Sequence, residues 1–430
     1  MMKKIKFILI GAGDRGTTYV RIGAECCPEF ELVGVADPDP VRRDYIKNKF
    51  NLPESVCFSS WTQILEQPKF ADVVIIGTQD KLHFEPAMKA ISLGYHLLLE
   101  KPVAPTPEEC LQVRDAALEK GVEVFVCHVL RFTPFFSLLK QIIDSGRIGD
   151  VMHIVHIEGV GPMLQAHSFV RGHWRKLEDS NPMILAKCCH DMDILQWLIG
   201  KRCLRVQSFG DLSYYRRENK PEGVPERCID GCPIEASCPY STIKLYKNRQ
   251  KEGYVQAATH KHLPTDEDIM RTITETEYGK CVFCCENNVV DHQTVNLEYE
   301  GGVTVSLTMT AFSEHGRRLR IMGTKGELVA DMGKDFVTVF DFETMKHTDI
   351  KIPNAVTNQD ITGGHGGGDK GIMRTMCQYL TGNYQGNSVA DIQTSIENHL
   401  PCFAAEESRL KNCVIDMDEY TKKLCLSYRK

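Results

Sequence analysis

The turn Gly11-Ala12-Gly13-Asp14-Arg15-Gly16 constrains this chain more than any other segment. Residues 4–10, Lys-Ile-Lys-Phe-Ile-Leu-Ile, read as a buried strand running into it, and a helix starting near Arg15 carries Tyr19, Val20 and Ile22 on its inner side. Glycines there allow a tight turn and a close approach to a pyrophosphate, whose charge the helix N-terminus attracts. A second strand, Leu32 to Ala36, ends in Asp37, 21 residues after Gly16, where an acid binds ribose hydroxyls. Gly11, Gly13, Asp14, Arg15, Gly16 and Asp37 are therefore candidate dinucleotide contacts. Asp37 favours NAD, because a carboxylate repels a 2′-phosphate. Arg42 and Arg43 follow closely, and either they hold that phosphate, which makes NADP the cofactor, or they stand solvated on the next helix.

Two more strand–helix units continue the pattern. Asp72 to Gly77 is a strand ending at Thr78-Gln79-Asp80, with His83 just inside the next helix; Gly94 stops that helix, as a C-terminal glycine does. The strand His96 to Leu99 then delivers Glu100-Lys101-Pro102. Lys101 thus falls at the carboxyl edge of a parallel sheet, where open α/β folds bind ligands. There it can lie beside a nicotinamide and act on a substrate hydroxyl; otherwise Glu100 and Lys101 form an exposed ion pair. Thr78, Gln79, His83, Glu100 and Lys101 join the candidate cofactor contacts. A helix from Pro107 to Lys120 and a strand from Val122 to Cys127 complete the sheet.

At 430 residues the chain exceeds one ordinary core. Residues 1–127 read as an NAD(P)-binding Rossmann domain, and residues 128–430 as an α+β domain for substrate binding and oligomerisation. In the second part, Thr294 to Thr310 alternates apolar and polar residues on either side of Gly301-Gly302, a two-residue hairpin turn. Further strands are expected at Val151 to Glu158, Leu204 to Phe209, Arg318 to Met322, Glu327 to Asp331 and Phe336 to Phe340. The expected fold is α/β: a Rossmann domain followed by a large, mostly antiparallel open sheet with helices on one face. One helix spans Cys189 to Ile199 and stops at Gly200; Asp369 is expected to cap another that runs to about Leu380. His190 and Asp193 share a face of the first. His190 is either a proton-transfer group, kept neutral by Lys187 or the helix N-terminus, or a structural histidine bonded to Asp193.

Composition narrows the class. Net charge is −6 with no long basic run, which argues against nucleic acid. No apolar stretch approaches the roughly 18 residues of a membrane span. The start, Met1 to Lys6, reads as the approach to the first strand rather than a signal peptide, so a reducing cytoplasm is expected. Most of the 18 cysteines lie in apolar stretches as small buried hydrophobes. Residues 212–285 differ: this polar insertion holds Cys228-x3-Cys232-x5-Cys238, then Cys281, Cys284 and Cys285. Cys228, Cys232, Cys238 and Cys281 are candidates for structural zinc or an iron–sulfur cluster; free cysteines packed in a loop subdomain are the alternative. Gly363 to Gly368 reads as a mobile loop that brings His365 over the substrate or serves as a plain connection.

Together, the glycine turn, Glu100-Lys101-Pro102, Gly146-Arg147-Ile148-Gly149-Asp150, His173-Trp174-Arg175 and His190-Asp191-Met192-Asp193 resemble the glucose–fructose oxidoreductase and inositol dehydrogenase (Gfo/Idh/MocA) family over nearly the whole chain. The resemblance implies an NAD(P)-dependent oxidoreductase acting on a secondary hydroxyl of a sugar, sugar derivative or polyol, and a homodimer or homotetramer joined through the open sheet. It implies a cis Lys101–Pro102 bond, Lys101 and His190 as the catalytic pair, and Trp174 and Arg175 near nicotinamide and substrate. Arg131, Lys187, Asp193 and His365 are further candidate substrate contacts. The family often has an aspartate four residues before the histidine, where this chain has Ala186, followed by Lys187. Lys187 then faces the substrate or its acid group, and the net reaction stays open. One alternative is a glycosidase or lyase that uses retained NAD through a transient keto-sugar. Another is a non-catalytic NAD-binding sensor.

Overall fold

The computed structural model describes residues 4–261, 263–354 and 365–428. The first sheet has six parallel strands: β1 (Ile5–Ile10), β2 (Phe30–Ala36), β3 (Cys57–Phe58), β4 (Val73–Ile76), β5 (His96–Leu99) and β6 (Val124–Val126). Their order is β3-β2-β1-β4-β5-β6. Val73–Ile76 is buried throughout, as a strand covered by helices on both faces requires. The chain winds outward one way from β1 and the other way from β4, so their carboxyl ends open a crevice at the switch point. The glycine turn, Thr78 and Lys101 follow β1, β4 and β5 into that crevice.

The second sheet comprises β7 (Val151–Gly159), β8 (Cys203–Asp211), β9 (His292–Tyr299), β10 (Val303–Thr310), β11 (Gly316–Gly323), β12 (Gly326–Asp331), β13 (Phe336–Asp341), β14 (Lys346–Lys351) and β15 (Ile415–Asp416). Their order is β14-β13-β12-β11-β7-β10-β9-β8-β15. Neighbours run antiparallel except β7 and β10, which are parallel. Alternate residues of β9 and β10 are buried beneath the helices Cys189–Ile199 and Ile392–Lys411. Tyr299 pairs with Val303, so the hairpin connection holds three residues, Glu300 to Gly302, rather than the expected two.

The closing part of the chain returns to the first domain. Helix Gly368–Leu380 lies against helix Asp14–Cys26, and Ile372, Met373, Met376 and Cys377 share a core with Phe7, Tyr19 and Val20. Asp369 does not cap this helix. The cap position is Gly367, and the Asp369 side chain turns to Arg15 and His365 instead. Gly363 and Gly364 of the expected mobile loop lie outside the described residues, whereas His365–Gly367 is a helical turn packed near Pro134 and Val129.

The insertion between β8 and β9 has more structure of its own than its composition suggested. Helices Glu252–Thr259 and Asp266–Glu275 enclose a small core of Leu245, Tyr246, Val255, Ala258, Ile269 and Ile273. The second helix starts on a capping box between Thr265 and Asp268, which satisfies two end groups reciprocally. Asp291 anchors the insertion's start by accepting from the Ser213 and Tyr214 amides at 3.0 and 2.7 Å.

Candidate active site

A cavity of about 950 Å³ fills the crevice. Gly11, Gly13, Asp14, Arg15, Asp37, Arg42, Thr78, Gln79, Glu100, Lys101, Trp174, His190 and His365 line it, so most of the sequence candidates meet in one place. Gly11 has φ +87°, and a Cβ there would stand 2.8 Å from the backbone of Gly77 and Thr78. At Gly16 a Cβ would lie 2.0 Å from the Gly11 carbonyl oxygen, which is the close helix–strand contact expected of the last glycine. Gly13 caps the following helix without a side chain, leaving the first amides of that helix free to meet an anion. Asp37 is buried and accepts from the Ala12 amide at 2.6 Å. These features fit a dinucleotide: a backbone cradle at the turn, and an acid one strand away.

Glu100 and Lys101 are not an exposed ion pair. The Arg15 Nε donates to Glu100 Oε1 at 2.7 Å, and the Tyr19 hydroxyl donates to the same oxygen at 2.8 Å. Arg15 also makes a two-pronged contact to Asp369, at 2.7 and 3.1 Å. Burial raises the Glu100 carboxyl, but Arg15 and Lys101 outweigh it and hold the group below its usual value. Lys101 is thereby left free of its neighbour, and its Nζ donates to the Ala186 carbonyl oxygen at 2.7 Å. The position where the family often has an aspartate thus touches the lysine through its backbone. The Lys101–Pro102 peptide is cis.

His190 enters from the N-terminal turn of helix Cys189–Ile199. Its ring is 5.9 Å from that of His365 and 6.4 Å from that of His128, and its Nδ1 has no hydrogen-bond partner among the described residues. The alternative of a structural histidine held by Asp193 does not hold. Asp193 accepts from Arg131 at 2.7 Å twice and from Asn398 at 2.7 Å. Burial first, and then Lys101, push the His190 ring well below the ordinary histidine value. It is therefore a neutral imidazole, able to accept a proton.

Other candidates take structural places. Arg131 and Asp193 form a buried bidentate pair behind His190, away from the cavity wall. Lys187 pairs with Glu158 on β7 at 3.2 Å and does not line the cavity. Arg175 bonds the Gly172 carbonyl oxygen at 3.3 Å, whereas its neighbours His173 and Trp174 form the wall. His83 contacts the carbonyl oxygens of Pro102 and Thr78, at 2.7 and 3.1 Å, and braces the two loops from beneath. Gly16 also lies beneath the surface of the crevice. His365 is held 3.2 Å from Asp369. The sequence reading missed Asp80, a buried acid on the wall that accepts from Trp174 Nε1 and Asn181 Nδ2, each at 3.2 Å. Its place after Thr78-Gln79 at a strand end was the available signal.

Four buried histidines give the fold a pH dependence. Burial lowers His128 and His190 well below the ordinary value, and takes His167 and His399 to about 3. In the unfolded chain these rings take up protons near pH 6.5. Below that pH the unfolded state binds more protons than the folded one, so stability falls as pH drops, on the order of 1 kcal/mol per histidine per pH unit. Urea denaturation at pH 7, 6 and 5 should show a steadily lower midpoint; a constant midpoint would contradict these environments.

The four cysteines singled out in the insertion, Cys228, Cys232, Cys238 and Cys281, line one small cavity of about 20 Å³. Among the described residues no three His, Cys, Asp or Glu side chains are drawn together closely enough to hold a metal ion. No described helix is long and apolar enough to cross a membrane.

Residues 5–128 match the sequence model of an oxidoreductase family with an NAD-binding Rossmann fold. Residues 140–386 match that family's C-terminal alpha/beta domain. Among curated proteins, YteT of Bacillus subtilis (strain 168) is 25% identical over 365 residues, covering 81% of this chain and 82% of its own. The 2,7-anhydro-N-acetylneuraminate hydratase of Escherichia coli (strain K12) is 29% identical over 137 residues, 32% of this chain and 36% of its own. The scyllo-inositol dehydrogenase of Lactobacillus casei, solved with NAD(H) and scyllo-inositol, shares the fold with a TM-score of 0.66 at 17% identity, over 96% of this chain and 99% of that one.

Proposed function

Because the chain belongs to the Gfo/Idh/MocA oxidoreductase family, we propose that it oxidises a secondary hydroxyl of a sugar, sugar derivative or polyol, or reduces the matching ketone. One observation carries the reading: Lys101 and His190 stand on the wall of the same cavity that the glycine turn and Asp37 line. NAD bound at that turn would supply the hydride acceptor. Asp37 supports NAD over NADP, and Arg42, at the cavity edge, is the residue that would meet a 2′-phosphate.

The protein's own part is position and proton handling. The Lys101 ammonium donates a hydrogen bond to the substrate oxygen, orients it, and offsets negative charge as the hydroxyl ionises. Neutral His190 accepts the hydroxyl proton and returns it in the reverse direction. Trp174, fixed through Asp80, and His173 form the wall opposite. The uncovered face of the nine-stranded sheet, where Asn296, Glu298, Thr304 and Ser306 alternate with buried residues, is the surface for the expected homodimer or homotetramer.

A second reading rests on the likeness to a hydratase. Transient oxidation of a sugar acidifies the neighbouring C–H, allows elimination or addition, and is reversed by the same cofactor with no net redox change. One experiment separates the two: the purified protein is screened against sugars, polyols and glycosides, with and without added NAD. NADH accumulation that depends on added NAD is the expected result. Product formation without added cofactor, by protein carrying bound NAD, establishes the redox-neutral reading instead. Inertness towards every substrate leaves the non-catalytic sensor as the better account.

A further inference from the structure

Facing the insertion from the segment Gln165–Arg171 is a buried cation whose partner is not a carboxylate. Arg171 is 1% exposed, and its Nε and Nη2 donate to the carbonyl oxygens of Lys280 and Tyr240, each at 2.8 Å. Among the described residues its Nη1 has no hydrogen-bond partner, and no carboxylate pairs with it. A guanidinium buried on two neutral carbonyls is costly unless negative charge lies near. The cavity that Arg171 lines is walled by Cys228, Cys232, Cys238 and Cys281, together with Val224, Ile234 and Phe283.

Backbone pairing holds these cysteines together from distant parts of the insertion. Arg227 and Lys280 form an antiparallel bridge, and the amides of Cys228 and Cys281 donate to Gly279 and Glu226 at 3.3 and 2.8 Å. Two adjacent tight turns, closed by Glu235 N to Cys232 O at 3.2 Å and Cys238 N to Ile234 O at 2.9 Å, bring Cys232 and Cys238 to the same wall. Four thiols, two buried and two half-buried, thus line one cavity in a stretch with little regular structure.

We propose that Cys228, Cys232, Cys238 and Cys281 form a structural zinc site, with Arg171 as its buried counter-charge. Zinc accepts four thiolates at about 2.3 Å in a tetrahedron, and the resulting charge of −2 places negative charge beside the guanidinium, which in turn offsets half of it. Each thiol loses its proton to solvent as its sulfur–zinc bond forms, and nothing is oxidised or reduced. A space of about 20 Å³ is on the scale of one small ion. The sulfurs line the space without converging on it. Convergence needs rotation about one side-chain bond in each cysteine, a change that moves a sulfur by about 3 Å. The site would stiffen the active-site wall, because Arg171 lies two residues before His173 and three before Trp174.

Metal content of the full-length protein, purified under reducing conditions from cells supplied with zinc and iron, tests this. The expected result is one zinc per chain, and after exchange with cobalt the visible bands of a tetrahedral cobalt thiolate. The double variant Cys232→Ser/Cys238→Ser should lose at least tenfold of its zinc, whereas Cys413→Ser, at an exposed cysteine, should keep it. Zinc below a tenth of an equivalent together with no cobalt thiolate bands would overturn the proposal. So would stoichiometric iron with sulfide, or a disulfide between any two of the four. The cobalt spectrum is read on the unaltered protein, so misfolding of the variant does not blur the answer.

Discussion

Lys101→Ala should lower turnover by a factor of about 10² to 10⁴, the usual worth of a positioned proton-handling group. Dinucleotide affinity should change little, since the turn, the free helix amides and Asp37 remain in place. The fold should also survive. Among the described residues the side chain makes one hydrogen bond, to Ala186 O, and such a bond contributes about 1 kcal/mol net. The measurement is steady-state kinetics on whichever substrate the screen identifies, beside NAD titration and a melting curve. A variant that binds NAD and turns over at the normal rate would refute the assignment of Lys101. A variant that no longer melts cooperatively would show a structural role that its surroundings do not predict.

Asp193→Ala should act on stability. Asp193 and Arg131 have side chains 1% and 3% exposed and form two hydrogen bonds of 2.7 Å. Asn398 donates to the same carboxylate. Removing the acid leaves a guanidinium buried and unpaired, which costs about 3–5 kcal/mol. Asp193→Asn should be milder, because an amide oxygen still accepts from Arg131. Urea unfolding monitored in the second domain reads the loss directly. If Asp193 contacted substrate instead, the alanine variant would keep its stability and lose substrate affinity. That outcome would overturn the structural placement.

Asp193 and His190, on one helix, show where sequence reading stops. Spacing put His190 and Asp193 on one face of a helix, yet only His190 reaches the cavity that Lys101 lines. Spacing could not reveal that Arg131, 62 positions earlier, takes both oxygens of Asp193, or that His190 Nδ1 has no partner among the described residues. Lys187 misled in the same way, since its partner Glu158 belongs to another strand of the sheet. The glycine turn and the helix Pro107–Lys120 were legible because their determinants are local: a backbone angle, a capping threonine, a terminal glycine. Strand β14 was missed because its exposed polar residues lack the alternation of a half-buried strand. The Asp369 contact is a tertiary one, and no local signal announces it.

That contact joins residues 354 positions apart, near opposite ends of the chain. During synthesis the first domain can emerge and collapse early, as N-terminal domains do. Arg15 nevertheless keeps one side of its guanidinium unanswered until helix Gly368–Leu380 has left the ribosome and docked. A nascent chain shorter than that holds the glycine turn but lacks the acid that steadies its arginine. The protein therefore completes its cofactor crevice late, although it writes the crevice first.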